Sequence, residues 1–215
     1  MDIAYDAAYD AVILAGGAAR RLDGADKPGL LVGGATLLDR VLAACADART
    51  TVVVGPERPT AREVVWTREE PPGGGPVAAL AAGLRLVTAD VTLLLAADLP
   101  FLDATSVHHL LETLAEPNID AATLVDVEGR DQLLTAAYRT LPLRAALDRI
   151  GPPEGARLRA VTSMLATRHL TDPRGVSVDV DTWEDVRLAR ARAAASALPP
   201  HAAPHATPHD PSSGR

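Results

Sequence analysis

The chain has 215 residues, 47% of them hydrophobic, yet carries only one Phe, two Trp and three Tyr. That length supports one sizeable core, here necessarily aliphatic and alanine-rich. A formal net charge of −7 argues against a nucleic-acid or anionic-membrane partner, and the single Cys45 leaves neither a disulfide framework nor a thiolate metal site. The acidic opening MDIAYDAAYD lacks a basic region followed by an apolar one, and no apolar run reaches ~18 residues, so the expected location is the cytoplasm.

In chain order, residues 11–15 are short, apolar and bounded by glycines, the pattern of a strand buried on both faces. The strand empties into Gly16 and Gly17, followed by Arg20, Arg21 and Lys27. Residues 36–46 carry Leu37, Leu38, Val41, Leu42 and Cys45 at helical spacing behind Thr36 as N-cap. Cys45 is expected as a small core residue on that helix. Residues 51–54 read as a second strand and 63–66 as a weaker third. EEPPGGGP, residues 69–76, is irregular, and 77–87 is helical.

Residues 91–96 (VTLLLA) make a strongly buried strand that ends directly in Ala97 and Asp98. An acid just beyond the carboxyl end of such a strand stands where open α/β sheets place ligands. Helices are expected at 106–114, 141–150 and 157–165, and strands at 121–127, 133–138 and 176–180. Thr182 is expected to cap a last helix over 183–197, with Glu184 and Asp185 in its first turn. Alternating strands and helices predict an α/β protein, a three-layer α/β/α sandwich on a mostly parallel sheet. The expected division is one domain over 1–195 and an Ala/Pro/His-rich disordered tail over 196–215. In the tail His201, His205 and His209 recur every four residues, but Pro204 and Pro208 oppose the helix that would let them chelate a metal.

There is no GxxxxGK[ST] P-loop and no GxGxxG dinucleotide fingerprint. What stands instead is LAGGAARRLDGADK, a strand opening into a glycine pair followed by cations. Backbone N–H groups there can approach phosphates without Cβ interference, and Arg21 and Lys27 can neutralise a triphosphate.

This stretch resembles the LAGGxxxRMGxxDK signature of the molybdenum cofactor guanylyltransferases, the MobA-like nucleotidyltransferases. Three further stretches carry the same resemblance in the same order. GPVAALAAGL (75–84) is similar to the family's GPLAG segment, AADLPF (96–101) to its D[ML]P[FY] metal motif, and DVDTWEDV (179–186) to its late DxDTPEDL. The resemblance implies a Rossmann-like sheet of the nucleotide-diphospho-sugar transferase type. It implies nucleotide contacts at Leu14, Ala15, Gly16, Gly17 and Gly75, and phosphate ligands at Arg21 and Lys27. It further implies Mg²⁺ on Asp98, with Asp181 or its neighbour Asp179 assisting with metal or acceptor. Arg21, Lys27 and Asp98 are then the catalytic set. An acid facing the base falls on Glu69 or Glu70, Glu69 fitting the spacing slightly better. A carboxylate there accepts from N1 and the exocyclic amine of guanine, which favours GTP over CTP.

The reaction implied is transfer of GMP from GTP to a phosphorylated acceptor, molybdopterin in this family, with release of pyrophosphate. A phosphate nucleophile is already anionic, which agrees with the lack of a Ser/His/Asp or Cys/His constellation. Gln132–Arg139 and Arg157–Met164 are expected to line the acceptor side. Asp103, Asp126, Asp131, His108, His109 and His169 are expected in surface roles. Alternatives are a cytidylyl- or guanylyltransferase for another pterin, 2-phospholactate or a sugar phosphate, or a non-catalytic nucleotide-binding protein. Two departures stand out: the family's RMG reads Arg21, Leu22, Asp23, and Trp183 replaces a common proline. The first raises the possibility of a shifted turn, with Gly24 taking the glycine's role, or of weaker binding.

Overall fold

The computed structural model describes residues 8–17 and 20–197. The expected tail and its three histidines lie outside them, Ser196 and Ala197 apart. Among the described residues no helix is long and apolar enough to cross a membrane.

The chain runs β1 (Tyr9–Leu14), a small hairpin β2 (Leu31–Val32) and β3 (Ala35–Thr36), α1 (Leu37–Ala44), β4 (Thr50–Val54), β5 (Val65–Thr67) and α2 (Pro76–Leu84). It continues through β6 (Val91–Ala96), α3 (Ala104–Leu114), β7 (Ala121–Val125), β8 (Asp131–Arg139), α4 (Thr140–Ile150), α5 (Leu158–Thr162), β9 (Thr167–Thr171) and α6 (Trp183–Ala197). Seven strands form one sheet in the order β5-β4-β1-β6-β8-β7-β9. All neighbouring pairs are parallel except those of β8, which runs antiparallel to both β6 and β7.

Period-two alternation in the strands builds two cores. Ala11 and Ile13 of β1, with Leu93 and Leu95 of β6, pack under α1 and α3. Val12 of β1 and Leu94 of β6 face the other way, under α2, α4 and α5. This is why the central strands read as continuous apolar runs. Cys45 is buried as expected; burial pushes its thiol up to about 11, against the opposing pull of Arg62.

Two expectations fail. Residues 176–180 make no strand: the Val176 and Ser177 amides donate to the Asp172 carboxylate instead of to a ladder. The seventh strand is β9, a polar edge strand TRHLT with no alternation to betray it, paired with β7 through its backbone.

From β1 the chain works outward through β4 to β5, then crosses back to lay β6 on the other side of β1. The strand order therefore reverses between β1 and β6. Open α/β sheets bind ligands beyond the carboxyl ends of the strands at such a point.

Candidate active site

Beyond the carboxyl end of β1 the backbone stays clamped for one more residue. Ala15 N–H donates to the Val54 carbonyl at 2.8 Å, and Ala97 N–H donates to the Leu14 carbonyl at 3.1 Å. The chain leaves the sheet at the exposed Gly16 and Gly17. Gly55 lies directly behind this exit. A Cβ there would stand 2.7 Å from the Ala15 oxygen, so only glycine lets the two backbones pass.

The loop is then organised by two helical turns, Arg20–Leu22 and Lys27–Gly29. Leu22 is fully buried with Val32, Leu37, Val180 and Val186, a satellite core that ties the loop to the segment before α6. Asp23 itself adopts a left-handed φ of +54°, followed by Gly24 at +75°. The position the family fills with glycine thus keeps a glycine-like conformation, and Asp tolerates it better than most residues.

These elements bring together a cleft of about 460 Å³ lined by Leu14, Ala15, Gly16, Gly17, Arg21 and Lys27 with Pro28, Ala97, Asp98 and Asp181. Lys27 Nζ contacts Asp98 Oδ2 and donates to Asp181 Oδ1 at 2.7 Å. Arg21 reaches Asp181 Oδ2 at 3.6 Å. Burial works against the Lys27 charge, but the Asp98 and Asp181 carboxylates outweigh it and hold its pKa above the ordinary lysine value.

Asp179 joins the cluster, since Asp98, Asp179 and Asp181 each offer a carboxylate oxygen within 4.8 Å of the others. Burial, followed by repulsion from Asp98 and Asp181, raises the Asp179 pKa. The two later acids sit on an irregular segment with no regular secondary structure. They are also free of helix capping, because Thr182 and Asp185 cap α6 reciprocally: Thr182 N–H donates to Asp185 Oδ2 at 2.7 Å and Asp185 N–H to Thr182 Oγ1 at 3.2 Å. Asp98 Oδ1 is buried without a hydrogen-bond partner. An orphaned carboxylate oxygen beside two more carboxylates is an all-oxygen donor set, which fits a hard divalent cation such as Mg²⁺.

Glu69 and Gly75 stand outside the lining of this cleft, on the connection from β5 to α2. Glu69 is largely buried, accepts from Gly73 N–H at 3.0 Å and lies beside Gly16, whose Cβ position is 4.0 Å from Glu69 Oε1. Glu70 is exposed, so of the two acids it is Glu69 that borders the glycine pair. Gly75, at φ +91°, precedes α2 as its N-cap residue, with Pro76 opening the helix. Sequence reasoning did not single out Pro28, Ala97 or Gly55; the close glycine approach at Gly55 was visible only as a Gly-Pro after a strand.

The segments expected to line the acceptor side meet in a separate cleft of about 240 Å³, whose walls include Leu133, Tyr138, Arg159 and Ser163. Asp131 in its wall pairs with Arg159 and His169. Asp103 caps α3 and binds Arg174, Asp126 tightens the turn between β7 and β8, and His108 meets Asp47.

A glycine exit, two cations and an acid cluster lie together at the switch point of a Rossmann-like sheet, and the family match makes the chain a nucleotidyltransferase. The MobA-like NTP transferase domain matches residues 11–170, and the chain belongs to that family. It is 29% identical over 195 residues to the molybdenum cofactor guanylyltransferase of Nitrobacter hamburgensis, covering 85% of this chain and 93% of that one. The molybdenum cofactor guanylyltransferase of Acidiphilium cryptum is 32% identical over 195 residues, 84% of this chain and 93% of its own. The fold is that of molybdopterin-guanine dinucleotide biosynthesis protein A from Archaeoglobus fulgidus, with a TM-score of 0.68 at 20% identity over 86% of this chain and 99% of that one.

Proposed function

We propose that this nucleotidyltransferase moves GMP from GTP to the terminal phosphate of a molybdopterin-type acceptor and releases pyrophosphate. The observation that carries the reading is the unpartnered Asp98 Oδ1 at the switch point, beside Lys27 and the glycine exit. The guanylyltransferase relatives support the choice of donor and acceptor.

In this reading an acceptor phosphate oxygen forms a bond to the α-phosphorus as the bond from that phosphorus to the β-phosphate oxygen breaks. The acceptor oxygen is anionic at neutral pH, so no side chain need remove a proton. The amides of the exposed residues Gly16 and Gly17 donate to phosphate oxygens, and Arg21 supplies a second charged anchor. Lys27 has three N–H donors; the two carboxylates leave one for a phosphate. Asp98 and Asp181, with Asp179 beside them, would hold the Mg²⁺ ion, which when bound neutralises charge developing on the phosphates. Glu69, next to Gly16, accepts from the guanine edge.

The test is pyrophosphate release by purified protein with Mg²⁺, the phosphorylated pterin acceptor and each of the four nucleoside triphosphates in turn. Release that is fastest with GTP and requires the acceptor is the expected result. Equal rates with all four, or none with the pterin, would overturn the assignment of donor or acceptor.

A further inference from the structure

We propose that Asp23 and Trp183 form a positioning pair, a latch that holds the glycine-rich loop against the segment carrying Asp179 and Asp181 and so sets Arg21 for the nucleotide phosphates. It rests on the nucleotide reading of the cleft given above.

The indole Nε1–H of Trp183 donates to Asp23 Oδ2 at 3.1 Å, across 160 residues of sequence. These are the same two positions at which the chain departs from the family pattern it resembles. The glycine replaced by Asp23 and the proline replaced by Trp183 are far apart in sequence and in contact in the fold. A left-handed φ of +54° costs Asp more than glycine, so the side chain must return something for its presence. Its return is an acceptor for the first residue of α6.

The latch lies at a seam. Leu22, the residue before Asp23, is buried against Val180, which sits between Asp179 and Asp181. Arg21 and Lys27 cross the same seam to Asp181. Both cations are also the groups that a triphosphate would draw on. When they turn to phosphate, the Leu22 packing and the Asp23 to Trp183 bond are what keep loop and acid segment in register. Trp183 is 46% exposed, so its bond competes with water and its effect is modest.

The experiment compares steady-state pyrophosphate release, with Mg²⁺ and the phosphorylated pterin acceptor held fixed and GTP varied, in wild type, Asp23→Gly, Asp23→Asn, Trp183→Phe and the double variant Asp23→Gly/Trp183→Phe. Asp23→Gly deletes the acceptor while relieving the backbone, so any loss in it cannot come from strain. Asp23→Gly and Trp183→Phe should each raise KM for GTP roughly threefold to tenfold, the range a single exposed hydrogen bond commands, with kcat within about twofold. Asp23→Asn, which keeps an acceptor oxygen, should behave as wild type, and the double variant should be no worse than the poorer single one. Unchanged KM in Asp23→Gly, or additive losses in the double variant, would overturn the latch. A second readout is independent of turnover: the indole N–H resonance of Trp183, assigned by its loss in Trp183→Phe, should shift in Asp23→Gly and stay in Asp23→Asn. An indole that does not move in Asp23→Gly likewise overturns it. If wild type releases no pyrophosphate from any nucleoside triphosphate, the nucleotide reading fails and the latch stands or falls on the indole resonance.

Discussion

The two ends of the central strands treat their acids in opposite ways. At the amino end, Asp10 of β1 is fully buried and saturated. Its Oδ2 accepts from Thr88 N–H at 2.7 Å and Ala89 N–H at 2.8 Å, and Arg49 binds both of its oxygens. At the carboxyl end, Asp98 leaves one oxygen buried and unanswered, the only such carboxylate oxygen among the described residues. Burial opposes the Asp10 charge, but the two amides and Arg49 outweigh it and lower its pKa. Burial and neighbouring carboxylates instead raise that of Asp179. A saturated acid staples a fold together, whereas an acid cluster left short of partners is a place reserved for something else.

The sharpest way to break this contrast is to neutralise each acid and read activity and stability separately. Asp98→Asn should cut turnover by roughly 10² or more, the scale of losing one preorganised electrostatic partner, while unfolding free energy in urea moves by less than about 1 kcal/mol. Lys27→Ala should show a loss of turnover of the same order. Activity within a few-fold of wild type in both would end the assignment of the carboxyl end as the reactive one.

Asp10→Ala should do the reverse. It strands two amides and a guanidinium, so a loss of about 2 kcal/mol in urea unfolding is expected, with kcat/KM of the folded protein unchanged. At Gly55, one methyl pushed to within 2.7 Å of the Ala15 oxygen should cost about 1 kcal/mol or more, and should weaken nucleotide binding because the displaced backbone is the glycine exit. Thermal shift with and without GTP separates the two effects.

The smallest expected effect is in pH dependence. Because the folded pKa of Asp10 lies below its unfolded value, its contribution to stability is complete above the unfolded pKa, near 4, and fades as pH falls through the folded one. Asp103 and Asp172 carry shifts of the same sign, held by Arg174 with Ser106 and by the Ser177 and Val176 amides against the cost of burial. Wild type should therefore lose stability steadily below about pH 4, and Asp10→Ala should lose it with a shallower slope in urea titrations over that range.

Much of the carboxyl-end site was legible in the chain because its parts are local. A glycine pair after an apolar strand, and an acid after VTLLLA, need only the strand to be placed correctly. Other parts were not. Residues 176–180, Asp179 among them, were expected as a strand, yet the segment donates the Val176 and Ser177 amides to Asp172 and packs Val180 against Leu22. No period in the sequence signals a segment held by side-chain acceptors. β9 was missed for a related reason: an edge strand satisfied by backbone pairing alone needs no apolar alternation. That Glu69 rather than Glu70 borders Gly16 is likewise a matter of packing that spacing alone leaves open.

By itself the sequence determined the class of fold, the two-sided burial of the central strands and the residue types that line the glycine-rich loop, because these follow from residue type and short-range period. Only the tertiary structure decided what those parts meet. It drew Lys27 between Asp98 and Asp181, brought both Asp179 and Asp181 to Asp98, and set Trp183 on Asp23. Such contacts join residues up to 160 positions apart, and chain crossings and packing, not local preference, choose which distant side chains become neighbours.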